Sequence, residues 1–185
     1  MRFTAMLVLV GAALMWTAVP AQAQWRGYIS RDLGISFHAP GEIIAERGIY
    51  EGERSGEHPT IVYRSVADNI EYKMVVTDFR DRLDEGASLL IEAAFMFQDE
   101  KTLLMDAYAR IDDNFGRKLT IDLPDNGGRS MGSFHFHQGY LYQSFATVLP
   151  ANGDFASPNI GRFTDSISFG DERVNEGVTE LSLPE

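Results

Sequence analysis

Residues 117–123 read RKLTIDL, in which Leu119, Ile121 and Leu123 alternate with Lys118, Thr120 and Asp122. Successive side chains of a β-strand point to opposite faces, so this spelling supplies one face for a core and one for water. A helix would scatter the same three apolar side chains around its surface. Period two recurs along most of the chain and limits what it can fold into more than any other feature. WRGYIS (25–30) and GISFHAP (34–40) flank Asp32-Leu33-Gly34, predicting a strand, a tight turn and a second strand ending at Pro40. TIVYRSV (60–66) and EYKMVVTDF (71–79) flank the turn residues Asp68-Asn69. GSFHFH (132–137) and YLYQSFATVL (140–149) are joined by Gln138-Gly139, a two-residue hairpin loop.

Two segments break this rhythm. Over 83–97, Leu83, Ala87, Leu90, Ala94 and Phe97 recur at spacings of four and three, and Asp84 and Glu85 lie near the N-terminal end, where acids suit the helix dipole. Farther on, Ser157-Pro158 reads as an N-cap followed by proline at the first helical position, with Ile160, Phe163 and Ile167 on one apolar face. TLLMDAYARI (102–111) fits both periods and is read as strand. Hairpin-length connections and two helices predict an α+β fold: a largely antiparallel sheet packed with helices as an α/β/α sandwich.

The chain begins with a segment of another kind. Arg2 precedes the apolar run AMLVLVGAALMWTAV (5–19), and Ala21-Gln22-Ala23 sets small residues before a cleavage point at Gln24. That is the grammar of a secretory signal peptide, and the run is shorter than the roughly 20 residues that span a bilayer. Residues 1–23 are therefore expected to be removed, leaving one α+β domain over 24–169 and an acidic, disordered tail over 170–185. The expected location is exported: periplasmic in a Gram-negative host, secreted otherwise. No later stretch predicts a membrane span in the mature chain.

The full chain carries 16 Lys and Arg against 27 Asp and Glu, and losing residues 1–23 removes Arg2 alone, leaving 15 against 27 and a net charge of −12. Such a surface repels nucleic acid and anionic lipid, whose phosphates are held mainly by Lys and Arg. It is compatible with divalent cations or basic partners. There is no cysteine, so thiol catalysis, disulfides and Cys-based zinc sites are excluded.

The richest phrase for chemistry is SFHFHQGYLY (133–142), which holds two of the four histidines. On a strand His135 and His137 share a face, and a pair two residues apart suits zinc, copper or nickel. A third ligand would have to come from His38, His58 or a carboxylate. The competing reading puts Phe134 and Phe136 in the core and both histidines on the wetter face, beside Tyr140 and Tyr142. Just upstream, Gly128-Arg129-Ser130-Met131-Gly132 matches the G-x-S-x-G elbow of hydrolases. That elbow needs a strand before the serine and a helix after it, whereas here a turn precedes and a strand follows. The acidic turns Asp112-Asp113-Asn114 and Asp122 to Asn126 lack the spaced ligands of a calcium loop. No phosphate-binding glycine loop is present.

The order of these signals resembles a known family. Tyr28-x-Ser30, Gly34-x-x-Phe37-x-x-Pro40, a mid-chain helix and Gly116-Arg117-x-Leu119 follow one another. Phe136, Gly139-Tyr140-Leu141-Tyr142 and Phe163-x-x-Ser166-Ile167-x-Phe169 complete the series. The pattern is similar to bacterial relatives of PsbP, the extrinsic subunit of photosystem II, and spans most of 25–169. The resemblance implies an antiparallel sheet between helices and a non-enzymatic exported domain that binds or assists assembly, with metal association in some members. No ligand motif of that family matches a position here, and photosynthetic function does not follow from a shared fold. The expected function is thus a binding or assembly accessory with a protein or envelope component as partner and no catalytic residue or cofactor assigned. The alternatives are a metal-binding accessory using His135 and His137 with a divalent metal, and an enzyme whose site is assembled only by the fold.

Overall fold

In the computed structural model, which describes residues 24–170 and 177–184, Leu119 and Ile121 are sealed from solvent while Lys118, Thr120 and Asp122 keep partial access. The leader expected over 1–23 lies outside the described residues. The elements run β1 (Trp25–Ser30), β2 (Ile35–Pro40), β3 (Ile44–Gly52), β4 (Gly56–Ala67) and β5 (Ile70–Asp78). A 3-10 turn, Leu83–Glu85, leads into α1 (Gly86–Gln98), followed by β6 (Thr102–Ile111), β7 (Asn114–Asp122), β8 (Arg129–His137) and β9 (Tyr140–Val148). The chain closes with α2 (Pro158–Thr164), β10 (Ser168–Phe169) and β11 (Thr179–Glu180).

Seven strands form one sheet in the order β3-β4-β5-β9-β8-β7-β6, every neighbouring pair antiparallel. Turn chemistry fixes its register. Asp68 and Asn69 (φ 52° and 55°) close the β4–β5 hairpin, and Gln138 and Gly139 (φ 48° and 84°) close β8–β9. Positive φ at both central residues matches the twist of the flanking strands, which is why such dipeptides join hairpins.

The sheet is covered on both faces. On one, Leu89, Leu90, Ala93 and Ala94 of α1 pack on Phe79, Leu119, Phe134 and Leu141. Phe97 stacks on Phe145 at 5.1 Å and meets Phe134 edge-on at 5.5 Å. On the other face, Ile160 and Phe163 of α2 and Ile35 and Phe37 of β2 close over Tyr63, Tyr72, Met74 and Tyr142. Phe163 sits edge-on to Phe37 and Tyr72 at 6.1 and 5.3 Å. Each such fully buried side chain contributes about 1.5–3 kcal/mol of transfer free energy.

The second outer layer differs from the expected helix alone. β1 and β2 leave the main sheet and build a four-stranded one, β10-β2-β1-β11, that shares this face with α2. The C-terminal segment differs as well. Residues 171–176 lie outside the described residues, but Thr179 and Glu180 pair parallel to Tyr28 and Ile29, and the Leu181 amide donates to the Ile29 carbonyl. Part of the acidic tail is therefore the edge of a sheet.

Candidate functional site

His135 and His137 do share a face, opposite Tyr142 and Tyr140 of β9. That face is not the wetter one. β10 lays Phe169 over the pair: it stacks on His137 at 4.8 Å and 23°, meets His135 edge-on at 6.0 Å, and lies 5.0 Å from Tyr142. His135 retains only 1% exposure. Its Nε2 is 3.1 Å from the Ser133 hydroxyl, while Nδ1 is enclosed without a well-formed hydrogen bond. Burial pulls its pKa down to about 4, the Lys118 ammonium pushes the same way, and the Asn114 carbonyl opposes them weakly. His137 is half-buried, its pKa is lowered by the same loss of water, and its Nδ1 lies 2.8 Å from the Asn114 amide oxygen.

The third ligand the pair would need is not supplied by the other histidines. His58 sits on the opposite face of the sheet, 4.2 Å from Phe79, and His38 is exposed on β2. Among the described residues no group of three or more His, Asp or Glu side chains is placed to hold a metal ion.

Ser130 of the G-x-S-x-G pattern lies within β8, is 3% exposed, and shares a 2.8 Å hydrogen bond with Thr147 on β9. It is an odd number of residues from His135 on one strand, so the two side chains point to opposite faces. The acidic turns are similarly engaged. Arg110 bonds the Asp113 carboxylate and the Asp112 carbonyl, and Arg129 bonds Asp122 at 2.8 Å.

Sequence reasoning missed one surface. The spacing predicts that Leu83 and Ala87 face the core with Leu90, Ala94 and Phe97. The structure turns the helix so that Gly86, Leu89, Leu90, Ala93 and Ala94 are buried, leaving Leu83, Ala87, Ile91 and Phe95 outside. Leu83 and Phe95 are 60% and 62% exposed. Beside Ile91 and Phe95 runs a cleft of about 520 Å³, walled by the β3–β4 turn at Glu53 and Arg54. That turn is held to the helix by Glu92, whose carboxylate accepts from the Arg54 and Ser55 amides. Burial works against ionisation of Glu92, but these amides outweigh it and hold the carboxyl below its usual pKa. A signal for this surface was present: GASLLIEAAFMFQ contains one charged residue, and a helix apolar all round calls for cover on every side.

No family model and no curated protein matches the chain in sequence. Its backbone does match solved structures. The solution structure of cyanobacterial PsbP (CyanoP) from Synechocystis sp. PCC 6803 superposes with a TM-score of 0.53. The match covers 82% of this chain and 95% of that one at 12% sequence identity. The fold is PsbP-like. At that identity the likeness is one of fold alone. Among the described residues no helix is long and apolar enough to cross a membrane.

Proposed function

We propose that the protein is an exported accessory domain that acts by binding a protein partner, with no catalytic step of its own. One observation carries this reading: large apolar side chains are left outside on α1 while the reactive candidates are spent inside. Ser130 and His135 are buried and hydrogen-bonded within the sheet, whereas Ile91 and Phe95 stand exposed beside a cleft. Exposed apolar patches of this kind mark interaction surfaces. The leader grammar of residues 1–23 supports export, and the PsbP-like fold is in keeping with an accessory role.

The test is fractionation of the native host expressing the tagged chain, with chemical crosslinking before lysis. The expected result is a chain beginning at Gln24, in the exported fraction, within a discrete heteromeric species. Retention at full length in the cytoplasm, or recovery of monomer alone, would sink the proposal. Turnover of hydrolase substrates that disappears in Ser130→Ala or His135→Ala would replace it with the enzyme reading.

A further inference from the structure

We infer that the outer face of α1 is a docking groove for a basic amphipathic helix of the partner protein; this rests on the accessory-binding reading and names the surface and its occupant. Ala87, Ile91 and Phe95 stand one turn apart, an apolar ridge of about 12 Å at 1.5 Å per residue, and Leu83 extends it in the preceding turn. The β3–β4 turn, pinned by Glu92, forms the second wall. A ridge beside a groove is what a second helix packs against, anchored by side chains at i and i+3 or i+4.

Charge selects the occupant. Asp84 lies at the N-terminal end of the ridge, Asp99 and Glu100 at its C-terminal end, and Glu53 on the side wall; among the described residues none of the four is in an ion pair, and with Glu92 the acids lining the cleft outnumber its cations, Arg54 and Lys101. Asp99 and Glu100 also sit beside the negative end of the helix dipole, where acids are disfavoured and a cation gains; Lys101, which donates to the Asp99 carbonyl, offsets only part of this charge. A partner flanked by Lys or Arg relieves this repulsion. A second copy of the chain would bring a second acidic rim against the first, and an anionic bilayer is repelled in the same way.

The test uses the full chain and two synthetic 18-residue amphipathic helices with one leucine stripe, flanked by lysine in one and by glutamate in the other. The lysine peptide is expected to bind and to weaken as salt rises, with no binding of the glutamate peptide. Phe95→Glu is expected to weaken lysine-peptide binding at least tenfold at an unchanged melting temperature. Asp99→Lys with Glu100→Lys, which leaves the ridge intact, is expected to reverse the preference. Equal binding of both peptides, or binding indifferent to both variants, overturns the inference. So does adsorption to anionic vesicles in preference to the peptide, or a dimer that Phe95→Glu dissolves. A heteromeric species recovered from the host that survives Phe95→Glu unchanged would overturn this surface while leaving the accessory reading intact.

Discussion

The imidazole of His135 lies directly against the bare backbone of Gly116 on the neighbouring strand. A Cβ at residue 116 would stand 2.4 Å from Nδ1 and 2.3 Å from the Phe134 carbonyl oxygen. The glycine is required here for close approach of a ring and not for backbone conformation, and together with the Phe169 ring it keeps His135 out of water. The bare backbone of Gly116 and the ring of Phe169 together enclose this imidazole, and the burial lowers its pKa.

Gly116→Ala should overpack this contact, because neither the Phe134 carbonyl nor the ring can retreat without disturbing β8. The expected cost is about 1–3 kcal/mol. Gly161→Ala in α2 is the control with the opposite sign. Its Cβ meets nothing nearer than the Asp165 carboxylate at 3.6 Å, and alanine stabilises a helix by up to about 1 kcal/mol over glycine. Urea denaturation of the two variants beside the parent tests both; a neutral Gly116→Ala would mean the ring is free to move.

The enclosure of His135 sets a pH dependence whose sign is fixed. The unfolded ring protonates below about pH 6.5, the folded ring only below about pH 4. Between those values the unfolded chain holds more protons, so stability falls as pH drops through the window, by about 3 kcal/mol, and this contribution levels off below pH 4. His137 adds in the same direction, since its pKa is also lowered. Asp78 and Glu92, both held below their usual range, lose their contributions only at lower pH still. His135→Gln, which keeps a partner for Ser133, should flatten the limb between pH 6.5 and 4 in equilibrium unfolding. An unchanged slope would show that the ring is not buried in solution.

These particulars show where the chain was readable. RKLTIDL and the Gln138-Gly139 loop encode β7 and the β8–β9 hairpin locally, in alternation and turn chemistry, so they could be read directly. β6, ambiguous in sequence, is an edge strand exposed over most of its length, and with no face buried it carries no clear period. β3 was not anticipated for a related reason: IAERGIYEG is an outer strand with only Tyr50 fully buried. The spacing in α1 places Leu90, Ala94 and Phe97 on the core face where they lie but misplaces Leu83 and Ala87, because a helix apolar on every side does not say which side meets the sheet. For the histidines the alternation gave the correct shared face. Nothing in SFHFH shows that β10, some thirty residues later, lays Phe169 over it.

Removal of residues 177–185 should open the edge that β11 closes. The Leu181 amide bond to Ile29 and the Arg47 side-chain bond to the Pro184 carbonyl at 2.9 Å would be lost. Leu183 would leave the wall of a cleft of about 510 Å³ floored by Ile61 and Val76. A few exposed hydrogen bonds at about 0.5–1.5 kcal/mol each give an expected loss of roughly 1–2 kcal/mol. Hydrogen exchange should show faster amides in β1 with β5 and β9 unaffected. Unchanged protection in β1 would mean the segment only rests on the sheet.

Zinc titration separates the metal reading of His135 and His137 from the packing the structure shows. A strong site needs lone pairs aimed at one point, and here one ring is enclosed beneath Phe169 with Nε2 committed to Ser133. His137 spends Nδ1 on Asn114 and leaves a single nitrogen, which alone binds weakly. The full chain is therefore expected to show at most weak binding, lost in His137→Ala and indifferent to His135→Ala. Phe169→Ala, which uncovers both rings, should tighten binding and make it depend on both histidines. Stoichiometric, micromolar binding by the unaltered chain that vanishes in the double alanine variant would show instead that Phe169 swings aside in solution. The pair would then be a metal site that β10 keeps closed until the ion arrives.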